Sequence, residues 1–357
     1  MSRVAYVNGR YQPLAAAKVS IDDRAFTFGD GVYEVCEVRG GALIEETRHL
    51  QRLARSLAAL RIAWPIGEAA LKVVMREVVR RNRVRDGLVY VQVSRGAARR
   101  DHGFPEAAVK PGLIVSARAL DPEVLAARAG AGVAVITLPD ERWAHPHIKT
   151  LQLLPNVLAK QAAREAGAFE AWFVDRAGYV TEGASTNAWI VTPEGRLVTR
   201  QADNSILQGV TRAAHFDVAK RLGLRFEERP FTVEDALGSV EAFLSSATTI
   251  AIPVVRIDGK QLQDGRPGPT VAALRRAFHD IAEKSRTTVS RCDRGLILGP
   301  AFAYSISLPY RVSTGAHEHR NNNGRQGLNK RKDSWQPRRR KTSKTRSSTM
   351  SESPRPR

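Results

Sequence analysis

Cysteine is scarce: Cys36 and Cys292 are the only two in 357 residues. Two thiols can build neither a disulfide framework nor a zinc site, so a cytoplasmic protein is expected. Long uncharged runs are also missing. The longest, Gly295 to Tyr310, has 16 residues and is broken by Pro300 and Pro309. A membrane helix needs about 20 mostly apolar residues, so none is expected. Near the start, Arg3 is followed by Tyr6, Asn8 and Arg10, where an export signal would carry its apolar core. Internal repeats are absent.

Acidic residues are outnumbered, 36 against 56 Lys and Arg, for a net charge of +20. Such a balance invites a nucleic-acid reading. The excess is unevenly placed. The segment after Lys284 holds 17 basic and 4 acidic residues, a net of +13, and leaves +7 on everything before it. That segment, 285–357, combines Asn321-Asn322-Asn323-Gly324 and Arg338-Arg339-Arg340-Lys341 with Ser, Thr and Pro. It reads as a disordered basic extension without apolar periodicity. Its basic runs could neutralise phosphates, but no recognition motif accompanies them, so no specific nucleic-acid partner is expected.

What is present before Lys284 is an alternation of strand and helix patterns. Ala5-Tyr6-Val7 before Asn8-Gly9 reads as a hairpin. Val32 to Val38 reads as a strand closed by Gly40-Gly41. Leu50, Leu53, Leu57 and Leu60 form one helical stripe, with Arg48, Arg52 and Arg55 off it, and Glu68 to Arg81 repeats the pattern. Leu88–Val93 and Gly112–Ser116 follow as buried strands. The pattern lapses around Asp121-Pro122 and resumes with a strand at Gly132–Thr137. Asn156–Ala166 reads as a helix, Ala171–Asp175 and Ser185–Val191 as strands, and another helix begins after Gly209. Thr232 with Asp235 marks a helix start, and Leu274, Phe278 and Ile281 mark a last helix. The expected fold is mixed α/β in two domains, 1–118 and 126–284, joined by a linker at 119–125.

Three segments hold residue types able to carry chemistry. Lys149, flanked by Ile148 and by Leu151, Leu153 and Leu154, is a candidate nucleophile toward a carbonyl, or a surface lysine. Glu182 stands among Thr181, Gly183, Ala184, Ser185 and Thr186, as a buried carboxylate held by donors or as a turn acid. Gly209-Val210-Thr211-Arg212 puts glycine and a hydroxyl at a helix opening, where free N–H groups suit a phosphate or simply start a helix.

The order of these segments carries more than each alone. Phe28-Gly29-Asp30-Gly31-Val32-Tyr33-Glu34-Val35, His49-Leu50-Gln51-Arg52-Leu53, Lys149 to Asn156, Thr181-Glu182-Gly183 with Ser185-Thr186-Asn187, and Gly209 to Arg212 occur in sequence. In these blocks the chain, over roughly 3–284, resembles the fold-type IV pyridoxal-phosphate enzymes. That group holds D-amino acid aminotransferases, branched-chain aminotransferases and aminodeoxychorismate lyase. The resemblance implies pyridoxal 5′-phosphate in the cleft between the domains, with Lys149 as its Schiff-base lysine and proton shuttle. It implies Glu182 at the pyridine nitrogen, Leu207 against the ring, and Arg52, Val210 and Thr211 at the phosphate. Ser246, Ala247 and Thr248 complete that phosphate set. Here the chain departs from the pattern, with Ala247 where a threonine is usual and Ile250 where an acid is usual.

Ser94 to Pro105 contains Arg100-Asp101-His102, similar to the Arg-x-His signature of the D-amino acid enzymes. By that similarity Arg100 and His102 act in the partner subunit's site and, with Tyr33, bind the substrate carboxylate. A homodimer acting on amino acids and 2-oxo acids is therefore implied, with transfer from D-alanine or a similar D-amino acid to 2-oxoglutarate, or the reverse. The branched-chain L-enzyme and the lyase are the alternatives on the same fold.

Overall fold

The computed structural model describes residues 3–285. Its strands gather into two sheets. The first is built from β1 (Val4–Val7), β2 (Arg10–Pro13), β3 (Gly31–Arg39), β4 (Ala42–Ile44), β5 (Gly87–Ser94) and β6 (Gly112–Ala119). All its pairings are antiparallel. Asn8 and Gly9, both at positive φ, make the expected two-residue turn between β1 and β2. A short helix α1 (Arg24–Phe28) precedes β3. Then α2 (Glu46–Ala59) and α3 (Glu68–Arg81) follow, the latter with the expected bounds. Leu50, Leu53 and Leu57 of α2 and Leu71, Met75 and Val78 of α3 pack with Val32, Cys36, Val89 and Val91 into one core. Leu60 is the C-cap of α2 rather than part of it.

The expected linker at 119–125 is not irregular throughout. Asp121 caps a helix, α4 (Pro122–Ala131), by accepting from the Glu123 amide at 2.9 Å. An N-cap acid before a proline at the first helical position is a good helix start. Only Ala129 of α4 is buried, so no apolar stripe marked it in the sequence.

The second sheet takes β7 (Val133–Pro139), β8 (Glu170–Val174), β9 (Val180–Gly183), β10 (Asn187–Val191), β11 (Leu197–Thr199), β12 (Phe226–Glu228), β13 (Glu241–Ser245), β14 (Ile252–Ile257) and β15 (Lys260–Gln261). Interspersed are α5 (Leu154–Glu165), α6 (Val210–Arg221), α7 (Val233–Leu237) and α8 (Pro269–Ile281). Parallel pairs join β7 to β8 and β14, and β11 to β12. Glu182 therefore lies on a strand, β9, rather than in a turn, and the strand expected from Ser185 starts at Asn187. Ser285, expected in the extension, closes β16 (Lys284–Ser285), which pairs with β4. The rest of the expected extension, 286–357, lies outside the described residues.

The central strands of this sheet are buried on both faces, as alternating side chains require. Ala188 and Ile190 of β10 face one core with Phe231, while Trp189 and Val191 face another with α6 and α8. Trp189 and Phe243 are cross-strand partners, stacked with ring centroids 5.3 Å apart. Against them sits His215 of α6, fully buried, with its Nε2 3.0 Å from the Ile250 carbonyl oxygen. A carbonyl only accepts, so Nε2 carries the proton and Nδ1 is bare, without a partner among the described residues.

Burial pushes the His215 pKa down to about 4, against 6.5 for the ordinary side chain. Between those values the unfolded chain takes up a proton that the folded one refuses. His215 therefore costs stability as pH falls from 6.5 toward 4, by roughly 3 kcal/mol in all. Replacing His215 by Gln should reduce the loss of melting temperature between pH 7 and pH 4.5. An equal loss in the two proteins would contradict this assignment.

Candidate active site

Lys149 lies in the connection between β7 and α5, held against the first sheet. The Tyr33 amide donates to the Lys149 carbonyl at 3.0 Å, and the Leu151 amide donates to the Gly31 carbonyl at 3.0 Å. Val32 and Thr150 form an antiparallel bridge between these contacts. Gly31 allows the approach, because a Cβ there would lie 2.6 Å from the Val93 carbonyl oxygen and 2.7 Å from the Leu151 side chain. The half-buried Lys149 amine stands 4.3 Å from the Tyr33 ring centroid. Among the described residues it makes no ion pair.

Elements of both sheets enclose a cavity of about 870 Å³ around this amine. Arg52, on α2, lines it, but Glu34 holds the guanidinium through Nε at 2.7 Å and Nη2 at 2.8 Å. Arg52 Nη1 donates to the Gln208 carbonyl at 3.2 Å, next to the start of α6. Two of its five N–H bonds remain for a ligand. His49 Nδ1 lies 2.8 Å from Glu34. Burial works against the Glu34 charge, yet Arg52 and then His49 hold its pKa at about 2. Burial also pushes His49 down, so its ring is neutral and donates to the carboxylate.

Glu182 is 5% exposed and accepts from three donors. The Leu207 amide donates at 3.0 Å, the Asn187 side-chain amide at 3.0 Å, and Arg142 Nη1 closes an ion pair. Gly209 is needed beside Asn187, since a Cβ there would fall 2.0 Å from Asn187 Oδ1. Arg142 is itself gripped by Asp140 through Nε at 2.9 Å and Nη2 at 2.7 Å, and the Thr181 hydroxyl donates to Asp140 at 2.7 Å. Burial raises the Glu182 carboxyl above the ordinary glutamate value, with Arg142 opposing it. Arg142 stays charged against burial through Asp140 and Glu182. We take the pair as a guanidinium facing a carboxylate, because three donors converge on Glu182 and none of them can accept its proton. The sequence reading missed Arg142, Asp140, Glu34 and His49 as partners. Asp140-Glu141-Arg142 resembles any polar loop, and only the charged triplet ending an apolar strand hinted at a buried use.

Leu207 lines the same cavity, as do Val210 and Thr211 at the start of α6 and Ser246, Ala247 and Thr248 after β13. The first turn of α6 has no side-chain cap. The amide groups of Ala247 and Thr248 have no backbone or side-chain acceptor among the described residues. Ser246 Oγ lies 3.1 Å from the Thr248 hydroxyl and 2.9 Å from that of Thr249. Residues with free amides from two elements thus line one cavity, a setting in which an anion can be held.

Arg100 and His102 are not in the cavity wall. Both are exposed, with the Arg100 guanidinium 5.2 Å and the His102 ring 5.4 Å from the centroid of Phe28, which does line it. Their main chain is braced from beneath. Arg24, paired with Asp30 at 2.8 Å, donates to the Asp101 carbonyl at 2.7 Å.

A family model described as Amino-transferase class IV matches residues 31–257. The chain is a class IV aminotransferase. Curated relatives of this aminotransferase include the D-alanine aminotransferase of Bacillus licheniformis, 38% identical over 78% of the chain and 98% of the relative. Another is the D-alanine aminotransferase of Staphylococcus haemolyticus, 36% identical over 78% and 97%. Among solved structures, a T.th. branched-chain amino acid aminotransferase with pyridoxamine 5′-phosphate is similar at a TM-score of 0.73. It is 25% identical, and the match covers 78% of this chain and 94% of that one.

The cofactor of class IV aminotransferases is pyridoxal 5′-phosphate, and the residues of this aminotransferase fit it. An unpaired amine faces the cavity for an aldehyde, a buried carboxylate for a ring N–H, and uncapped amides with spare Arg52 donors for a phosphate. Ala247 does not spoil this fit, because a backbone N–H serves a phosphate as a hydroxyl does.

Arg142 should set the charge of Glu182. In Arg142→Met the carboxyl loses its cation, its pKa rises further, and ionised Glu182 survives only at higher pH. The acid limb of kcat/KM against pH should move up by about one unit or more. A fall in activity with that limb unmoved would show that Arg142 acts in some other way.

Proposed function

We propose that the enzyme is a D-amino acid aminotransferase. It moves the amino group of D-alanine or a similar D-amino acid to 2-oxoglutarate, or runs in reverse. The reading is carried by D-alanine aminotransferase relatives that match nearly end to end, together with Arg100-Asp101-His102 braced beside the cavity. In this reading the work is done in the cytoplasm.

Bound in this cavity, pyridoxal phosphate supplies the electron sink that stabilises the charge left when the substrate Cα loses its proton. Lys149 would hold the cofactor covalently until a substrate amine displaces it. Its freed amine would then take that proton and return it from the one side of the cavity where Gly31 and Tyr33 pin its segment. Glu182, kept ionised by Arg142, would accept from the ring N–H. Arg52, the α6 amides and the 246–248 segment would hold the phosphate.

The substrate carboxylate needs a cation that the described residues of one chain do not supply inside the cavity. Of the basic residues in its wall, Arg52 and Arg142 are fixed on carboxylates, His49 is neutral, and Lys149 is needed for chemistry. Arg100 and His102 of the partner subunit fill this gap in a homodimer, with the Tyr33 phenol as a further donor. With the carboxylate pinned, only one enantiomer turns its Cα hydrogen toward Lys149. The branched-chain L-enzyme is the second reading, favoured by the structural likeness.

Purified enzyme should turn over D-alanine with 2-oxoglutarate faster than L-leucine or L-isoleucine. Faster turnover of the L-substrates moves the chain to the branched-chain group, and pyruvate release from aminodeoxychorismate moves it to the lyases. Action in trans has its own test. Lys149→Ala and Arg100→Ala should each be nearly inactive. Unfolded and refolded together in equal amounts, they should recover about a quarter of wild-type activity, since half the dimers then carry one intact site. No recovery would place Arg100 in its own chain's site.

A further inference from the structure

The loop that follows β13 is held from behind in an unusual way. Its carbonyls at Thr249, Ile250 and Ala251 all accept from donors on two helices. Arg275 of α8 donates through Nη1 to Thr249 at 2.6 Å and to Ala251 at 3.0 Å. His215 of α6 donates to Ile250 at 3.0 Å. Ile250 is held at φ 59°, a left-handed conformation that a β-branched residue seldom adopts. Thr249, Ile250 and Ala251 are buried.

Neither donor has another evident task. His215 lies among Trp189, Phe243 and Phe278, and its other ring nitrogen is unpartnered. Arg275 makes no ion pair among the described residues, and its guanidinium hydrogen bonds there are those to the loop carbonyls. A buried polar group without a partner is costly, so two such donors spent on three successive carbonyls fix the loop's shape. The Thr249 and Ile250 amides turn back onto the Ser246 carbonyl, at 3.2 and 2.8 Å. The Ala247 and Thr248 amides are left without an acceptor among the described residues, and both residues line the cavity.

We propose that His215 and Arg275 are positioning residues that hold the 246–251 loop in its phosphate-accepting shape. By this device the chain dispenses with the threonine usual at Ala247, taking its donors from a preorganised backbone. His215 also ties the loop to α6, whose uncapped first turn faces the same ligand, so the two walls of the phosphate site are set relative to each other. The inference rests on the reading that the cofactor phosphate lies here, and the experiment separates the two.

The test compares binding of pyridoxal phosphate with binding of pyridoxal, which lacks the phosphate, to apoenzyme by absorbance and fluorescence titration. The parent and Thr211→Ala first establish the site. The parent should strongly prefer the phosphorylated form, and Thr211→Ala should lose part of that preference. If it does not, the phosphate reading fails.

With that in place, His215→Met and Arg275→Met should each weaken pyridoxal phosphate about tenfold or more, the equivalent of one charge-assisted hydrogen bond lost. Pyridoxal binding should change less than about twofold. His215→Gln and Arg275→Lys, which keep a donor, should recover most of the loss. Arg275 is less buried than His215, so its variants carry the test if His215→Met does not fold. Equal weakening of both ligands, no weakening, or no rescue by the conservative variants would overturn the proposal.

Discussion

Among the described residues, every strong cation in the cavity wall is committed to a carboxylate except one. Arg52 forks onto Glu34, and Arg142 bridges Asp140 and Glu182, while Lys149 is left without an acid among the described residues. Burying an unpaired charge is expensive, so this partition of charges is a constraint on what the site can do. The paired arginines are fixed in place and fixed in charge. The unpaired amine is free to form a bond and to move a proton. Its position is set by the backbone hydrogen bonds of its segment, Tyr33 to Lys149 and Leu151 to Gly31, rather than by its own charge.

The same division separates the walls of the cavity. The ring end is built from charged side chains satisfied by one another, around Glu182. The end proposed for the phosphate is built from backbone amides, in a loop whose carbonyls are tied down by Arg275 and His215. A dianionic group can be gripped there without a dedicated cation, because Arg52 retains two N–H bonds and each free amide adds a donor. On the proposed reading, a backbone amide stands in for the side chain missing at Ala247.

Much of the fold was legible in the sequence. The stripe Leu50, Leu53, Leu57 and the run Glu68–Arg81 became α2 and α3 because a 3.6-residue period and a single buried face coincide there. Asn8-Gly9 made its turn for reasons local to two residues. The elements that escaped are short or weakly amphipathic. Helix α4 buries one side chain, and β9 carries Thr181, Glu182 and Gly183, residues whose burial is set by partners distant in the chain. In the site, Lys149, Glu182 and Arg52 were findable as members of a family pattern. Glu34 and His49 stood inside the same blocks without a role and Arg142 outside them, since their roles arise from pairs across 15 to 40 residues that no local spacing reveals. Arg100 and His102 were found as a motif, yet the chain that carries them holds them outside its own cavity.

The central claim is that one amine, at position 149, carries the cofactor. Reducing the holoenzyme with borohydride fixes the cofactor to whichever amine holds it, and peptide mapping by mass spectrometry then locates it. The account predicts a single modified peptide containing His147-Ile148-Lys149-Thr150, with the phosphopyridoxyl group on Lys149. Stoichiometric modification of any other lysine, with Lys149 unmodified, would contradict it.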